Sequence, residues 1–108
     1  DCSEHAVLLA ALGRACGIPT RVVTGLVYVP IFGGDADIFG FHMWTQFRIG
    51  DSWVDFDAAQ HESDCNPTHV AFSTSSLAGA GLGQISINLV HLIGNLELDI
   101  VRIEPAGP

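Results

Sequence analysis

The N-terminal segment has the hydrophobic and polar pattern of an α-helix. Asp1 and Glu4 have the spacing of an N-terminal capping box, and the residues after them are rich in Ala and Leu. This pattern predicts a helix that runs to Cys16 and is ended by Gly17. One apolar stripe at helical spacing is expected to face the core: Leu8, Ala11, Leu12 and Ala15.

The rest of the chain has the pattern of an antiparallel sheet. Strands are predicted where β-branched or alternating apolar residues recur, at 21–29, 41–49, 52–57, 69–72 and, at a sheet edge, 96–103. Gly50-Asp51 is the expected turn of a hairpin, and the glycines and aspartates of 30–40 predict a loop. One helix followed by antiparallel strands predicts an α+β fold.

The turn at Gly50-Asp51 decides which side chains of the hairpin meet. With a two-residue turn, Trp44 lies opposite Asp57. His42 then lies on the same face as Asp57, in the diagonal position. The register alone therefore predicts an imidazole beside a carboxylate on adjacent strands.

Cys2 adds a nucleophile to this pair. It lies in the first turn of the predicted helix, where the partial positive charge of the helix end stabilises a thiolate. A thiolate, a histidine base and a carboxylate that orients the base are the parts of covalent acyl-transfer catalysis. Cys2, His42 and Asp57 are therefore the candidate catalytic residues.

Composition and charge restrict the partners. The 108 residues are 48% hydrophobic, which is enough for one small folded domain. The net charge is −8, and all four basic residues are arginine, so no basic patch is available for nucleic acid or an anionic membrane surface. No apolar run approaches the ~20 residues that span a bilayer. We expect a peptide or protein substrate, no cofactor or metal, and no nucleic-acid or membrane partner.

The cysteines and the first residue of the chain are used to predict the cellular compartment and the extent of the domain. The three cysteines, Cys2, Cys16 and Cys65, do not form a disulfide scaffold. Their number fits a reducing compartment, one reactive thiol, or one disulfide with a free cysteine, and of the compartments the cytoplasm is favoured. Cys16 is expected to be buried. Because the chain begins at Asp1 without Met, residues 1–108 are expected to be a single catalytic core, a fragment without its upstream segment. An edge exposed by that loss would favour self-association.

Three motifs resemble the transglutaminase-like superfamily, and residues 67–77 and 93–103 resemble its bacterial members more loosely. The three motifs are Asp1-Cys2-Ser3-Glu4-His5-Ala6, Gly40-Phe41-His42-Met43-Trp44 and Trp53-Val54-Asp55-Phe56-Asp57. The resemblance is strong over residues 1–60. It implies a papain-like core in which Cys2 is the nucleophile, His42 the base and Asp57 the residue that orients the base. The implied activity is that of a cysteine peptidase, an amidase or a transglutaminase.

Two details of the resemblance affect the site. Asp55 has the same parity as Asp57, and Asp57 is preferred because its spacing from Trp53 matches the family motif. In the papain-like arrangement a second oxyanion donor comes from upstream of the nucleophile, where this chain has only Asp1. The isolated chain is therefore expected to be weakly active.

Two other functions fit the same residues. The first is a catalytically inert interaction module that keeps the triad by ancestry. The second is a structural zinc domain. Its candidate ligands are the Cys2–His5 pair and, at four-residue steps, His61, Cys65 and His69. Pro67 argues against this second function, because it prevents the later three from sharing one helix face.

Overall fold

In the part of the chain that the structure describes, an α-helix packs on a four-stranded antiparallel sheet. A computed structural model describes residues 1–60, 68–78 and 90–105. The elements are α1 (Cys2–Ala15), β1 (Thr20–Phe32), β2 (Asp35–Ile49), β3 (Ser52–Phe56) and β4 (His69–Ser75). The strands lie in the order β3-β2-β1-β4, and each neighbouring pair is antiparallel. The predicted α+β class is confirmed. Within the described ranges, no helix has the length and apolar character needed to cross a bilayer.

Hydrogen bonds close both ends of α1 as the sequence predicts. The Asp1 side chain accepts the Glu4 N–H at 3.1 Å, and the two residues form a capping box. At the other end Gly17 has a φ of 77°, and the Ile18 amide donates to the Gly13 carbonyl at 2.9 Å. This glycine-terminated cap satisfies a carbonyl that the helix itself leaves unpaired.

Small residues bring α1 very close to the sheet. Its buried positions are Ala6, Ala10 and Gly13. The Thr45 hydroxyl donates to the Ala6 carbonyl at 2.8 Å, and the Thr20 hydroxyl donates to the Ala10 carbonyl at 3.1 Å. A Cβ on Gly13 would lie 2.6 Å from the Thr20 side chain. The backbone of α1 therefore lies almost directly against the sheet.

The predicted apolar stripe of α1 is wrong. Leu8 is 60% exposed and Leu12 is 55% exposed, and Ala11 and Ala15 are exposed as well. Because the helix backbone lies so close to β1 and β2, the contact face has no room for leucine. The alanines and glycine of a neighbouring stripe take the core positions instead.

Two predictions for the strands also fail. The predicted loop at 30–40 is largely paired, because β1 and β2 continue to the Phe32–Asp35 pair and turn at Gly33 and Gly34. The glycines indicate where the turn lies, but they do not indicate that the residues on either side of it are paired in strands. No strand is present at 96–103, which lie within the described range 90–105. The strand predicted at 69–72 is confirmed and continues to Ser75.

The predicted β2–β3 hairpin is confirmed. The ladder runs from the Ile49–Ser52 pair to the Thr45–Phe56 pair, so Gly50-Asp51 is a two-residue turn. Continuing this register by one residue places Asp57 opposite Trp44, as predicted.

Gly25 is the point at which β1 and β4 approach most tightly. The β1–β4 register shifts between Thr24 and Gly25, and on the other side of β1 the Gly25 position pairs with His42. A Cβ on Gly25 would lie 2.0 Å from the carbonyl oxygen of Val70, a backbone atom. Glycine is therefore required for β4 to lie where it does.

We expect Gly25→Ala to lower the free energy of unfolding by about 1–3 kcal/mol, because β4 must move to admit the methyl group. Gly40→Ala on β2 is the matched control, since a Cβ there meets no atom within 4 Å. Its effect is expected to stay within about 0.5 kcal/mol. Urea unfolding of both variants measures the difference. Equal losses of stability would contradict the close β1–β4 approach.

Candidate active site

Asp57 is the centre of a buried polar cluster. It directly follows β3 and is 0% exposed. Its Oδ2 lies 2.6 Å from Nε2 of His42 and 2.8 Å from Nε2 of His69. Its Oδ1 accepts the backbone N–H of Gln60 at 3.3 Å. Because an ionised carboxylate only accepts hydrogen bonds, both rings must donate through Nε2–H.

The sheet register brings the two histidines together. His42 on β2 pairs with Gly25 of β1, and His69 on β4 pairs with Val27 of β1. Gly25 and Val27 are two residues apart, so both pairs present their side chains on one face. The centroids of the two rings are 5.9 Å apart.

Trp44 packs against both imidazoles. It stacks on His42 with an interplanar angle of 25° and a centroid distance of 6.0 Å. It meets His69 edge-on, at 82° and 5.1 Å. Trp44 is itself buried, so the indole excludes solvent from one side of the cluster.

The second carboxylate of the hairpin has a different role. Asp55 Oδ1 accepts the indole N–H of Trp44 at 2.8 Å and the side-chain amide N–H of Gln46 at 2.8 Å. It therefore fixes the indole and does not bond to the imidazole. The preference for Asp57 over Asp55 as the partner of His42 is confirmed.

Among the described residues, two imidazoles balance the charge of Asp57. Burial raises the pKa of the Asp57 carboxyl, but hydrogen bonds from His42 and His69, with the positive charge that either ring can carry, outweigh this effect. The net result is a pKa below the ordinary value, so the carboxylate is ionised at neutral pH. None of the four arginines, all in the described ranges, forms an ion pair with it.

Cys2 lies apart from this cluster in its contacts. Its side chain packs on the core that includes Val22 and Met43. Met43 lies between His42 and Trp44 on β2, and side chains alternate between the two faces along a strand. The His42 ring and α1 therefore lie on opposite faces of β2. His42 bonds to Asp57 through Nε2, and no hydrogen bond joins its Nδ1 to the Cys2 thiol within the described residues.

The two described thiols differ in exposure. Both are free; Cys2 is half-buried and Cys16 is exposed. The prediction that Cys16 is buried is wrong: this residue caps the C-terminal end of α1 and is exposed. Cys65 lies outside the described residues.

His69 is the member of the cluster that the sequence does not assign to the site. The sequence groups it with His61 and Cys65, which lie outside the described residues, as a zinc candidate. The sequence predicts the short strand that contains His69, but no tight turn connects that strand to β3. The sequence therefore offers no register by which to place His69 beside Asp57.

Comparison with known families gives a match to the first half of the chain. The family model of the transglutaminase-like superfamily matches residues 1–58, a segment that contains Cys2, His42 and Asp57 but not His69. No curated protein and no solved structure gives a significant match. Because the family match covers more than half of the 108 residues, the chain belongs to the transglutaminase-like superfamily.

Proposed function

We propose that this domain catalyses thiol-dependent acyl transfer on peptide or carboxamide groups. Cys2 is the nucleophile, His42 the general base and Asp57 the residue that orients the base, on the papain-like core of the family. The observation that carries the proposal is the buried hydrogen bond between His42 Nε2 and Asp57 Oδ2, at 2.6 Å. The family match supports it, because the matched segment includes all three residues.

The bond to Asp57 determines which nitrogen of His42 can act as a base. With Nε2–H donated to the carboxylate, a neutral ring has its lone pair on Nδ1. Nδ1 has no hydrogen-bond partner among the described residues. The tautomer held by Asp57 is therefore the one that can accept a proton from a thiol.

The position at which β3 ends affects how the Cys2 thiol can reach the His42 ring. The β2–β3 ladder stops at the Thr45–Phe56 pair. From there towards Gly40, β2 is paired only with β1 in the described ladders. Cys2 packs on the core that includes Met43, so in the proposed reaction its thiol must reach around β2 to Nδ1 of His42.

The reaction has two halves. Nδ1 of His42 takes the thiol proton, the sulfur of Cys2 bonds to the carbonyl carbon, and the carbon–nitrogen bond breaks as His42 protonates the leaving amine. The thioester is then attacked by water or by an amine, and the thiol is released. Water as acceptor gives a peptidase or amidase, and an amine gives a transglutaminase.

The charge of the chain bears on the substrate. A net charge of −8 favours the approach of cationic peptides or amines. The chain contains no lysine, so it has no lysine amine that could serve as its own acceptor. The backbone N–H of Cys2, in the first turn of α1, is one donor for the oxyanion of the intermediate.

One observation favours the alternative of an inert interaction module. The thiol of Cys2 is half-buried and makes no hydrogen bond to His42 among the described residues. An inert thiol in that place would react more slowly than the exposed thiol of Cys16. The reactivity of the two thiols therefore separates the two functions.

For the catalytic function, we expect iodoacetamide at neutral pH to alkylate Cys2 at least about tenfold faster than Cys16, despite the greater burial of Cys2. Peptide mapping by mass spectrometry gives both rates in one sample, so Cys16 is the internal control. Asp57→Asn is expected to slow Cys2 and leave Cys16 unchanged. A slower rate at Cys2 than at Cys16 in the wild-type chain would favour the inert module.

The activity itself depends on the sulfur. With peptides that contain glutamine or a cationic residue, Cys2→Ala is expected to leave less than about 1% of the rate of amide cleavage or amine incorporation. The fold should remain, since alanine is tolerated in the first turn of a helix. Cys16→Ala is the control and is expected to keep full activity. Comparable activity in Cys2→Ala and wild type would contradict the proposal.

The ionised state of Asp57 predicts a pH dependence of stability. Because its pKa is lowered by folding, its contribution is present above the pKa of an unfolded aspartate, about 4, and is lost as the pH falls through the lower folded value. Urea unfolding should show wild type losing stability over this acidic range, and Asp57→Asn losing less. Asp51→Asn, in the exposed β2–β3 turn, is the control. Identical pH dependence in Asp57→Asn and wild type would contradict an ionised, bonded carboxylate.

A further inference from the structure

Three atoms that commonly bind metals converge in the buried cluster. Nε2 of His42, Nε2 of His69 and Oδ2 of Asp57 all lie within 4.8 Å of one another. Two imidazoles and one carboxylate are a ligand set for zinc and other first-row divalent ions. We propose that these three atoms form a binding site for a divalent transition-metal ion such as Zn²⁺, and that the bound ion prevents His42 from acting as a base.

The spacing of the ligand atoms fits a tetrahedral ion after a small adjustment. Zinc bonds of about 2.0–2.2 Å at tetrahedral angles place ligand atoms about 3.4 Å apart. The two nitrogen–oxygen distances from Asp57 Oδ2 are 2.6 and 2.8 Å, which are hydrogen-bond lengths. Each must lengthen by less than about 1 Å, and the two ring nitrogens, which lie within 4.8 Å of one another, must take up a similar spacing. The broad χ2 rotation of the imidazoles allows both changes. A solvent molecule would occupy the fourth coordination position of the ion.

Burial and charge favour a cation at this place. The Asp57 side chain is 1% exposed, and those of His42 and His69 are 9% and 3% exposed. Without an arginine partner, the buried carboxylate is balanced, among the residues that the structure describes, by neutral N–H groups or by a proton on a ring. A divalent ion at Oδ2 compensates the charge directly, and a chain of net charge −8 attracts cations.

The outer contacts of the cluster also suit a metal site. Nδ1 of His69 lies 3.4 Å from the Thr68 hydroxyl oxygen. When Nε2 binds a metal, a neutral ring carries its proton on Nδ1 and can donate it to such an oxygen, which orients the ligand. Oδ1 of Asp57 keeps the backbone N–H of Gln60, so Oδ2 stays directed at the ion.

Metal binding and base catalysis require opposite tautomers of His42. Catalysis needs the proton on Nε2 and the lone pair on Nδ1. A metal on Nε2 shifts the proton to Nδ1, with no net gain or loss of protons by the ring. The ion therefore removes the lone pair that receives the thiol proton of Cys2. This inhibitory step rests on the proposed function, whereas the metal site does not.

Zinc binding to the full chain tests the site by competition with a chromogenic chelator. We expect one tight ion per wild-type chain. Loss of an outer-shell partner already costs 10–100-fold in metal affinity, so His69→Asn is expected to weaken binding by at least about 100-fold. His42→Asn, on a different strand, should have the same effect. His91→Asn, an exposed histidine outside the cluster, and Cys2→Ser are the controls and should bind as wild type does.

A second readout does not depend on the chelator. Zn²⁺ bound to the folded state raises the melting temperature of the chain. This shift is expected in wild type and Cys2→Ser and is expected to disappear in His69→Asn, whose own metal-free melting curve shows whether it folds. Unchanged zinc affinity in His69→Asn, loss of binding in Cys2→Ser, or no tight binding by wild type would overturn the site.

Alkylation of Cys2 with and without Zn²⁺ tests the inhibition. We expect the ion to slow alkylation in wild type and to leave His69→Asn unaffected. If Cys2 is unreactive even without zinc while binding still requires His69, the proposed function fails and the metal site stands. If Cys2 is reactive but the chain binds no zinc, the metal site fails and the proposed function stands.

Discussion

The carboxylate of Asp57 is fully withdrawn from solvent, and its two imidazole donors must be in place for it to remain there. An uncompensated charge in such a position is strongly destabilising. His42 comes from β2, His69 from β4, and Asp57 follows β3, so the whole strand order β3-β2-β1-β4 is needed to complete the cluster. Stability of the sheet and the chemistry of the site therefore depend on the same two hydrogen bonds.

The opposite face of the sheet determines where the thiol lies. Hydroxyl groups of Thr20 and Thr45 bond to carbonyls of α1 and hold the helix backbone against β1 and β2. Cys2 packs on the core that includes Met43, the residue next to His42. The proposed acyl transfer therefore requires the Cys2 thiol to reach Nδ1 of His42 from the other face of β2, and the proposed metal ion on Nε2 would remove the lone pair of Nδ1.

Local patterns predicted the parts of the site that a tight turn connects. The two-residue turn at Gly50-Asp51 gives the β2–β3 register and with it the His42–Asp57 pair. The contact of His69 with Asp57 was not predictable, because no short connection determines where β4 pairs. The burial of α1 was mispredicted at Leu8 and Leu12, since the helix-to-sheet distance depends on Gly13 and on hydroxyl–carbonyl bonds that hydrophobic periodicity does not describe.

The ionised Asp57 holds His42 with its proton on Nε2 and its lone pair on Nδ1, and the chemistry proposed for the site depends on this tautomer. Long-range ¹H–¹⁵N NMR of the histidine side chains at neutral pH, assigned with His42→Asn and His69→Asn, measures it directly. We expect neutral His42 and His69 both to be Nε2–H tautomers in metal-free protein. A neutral His42 with its proton on Nδ1 would show that Asp57 does not set the tautomer.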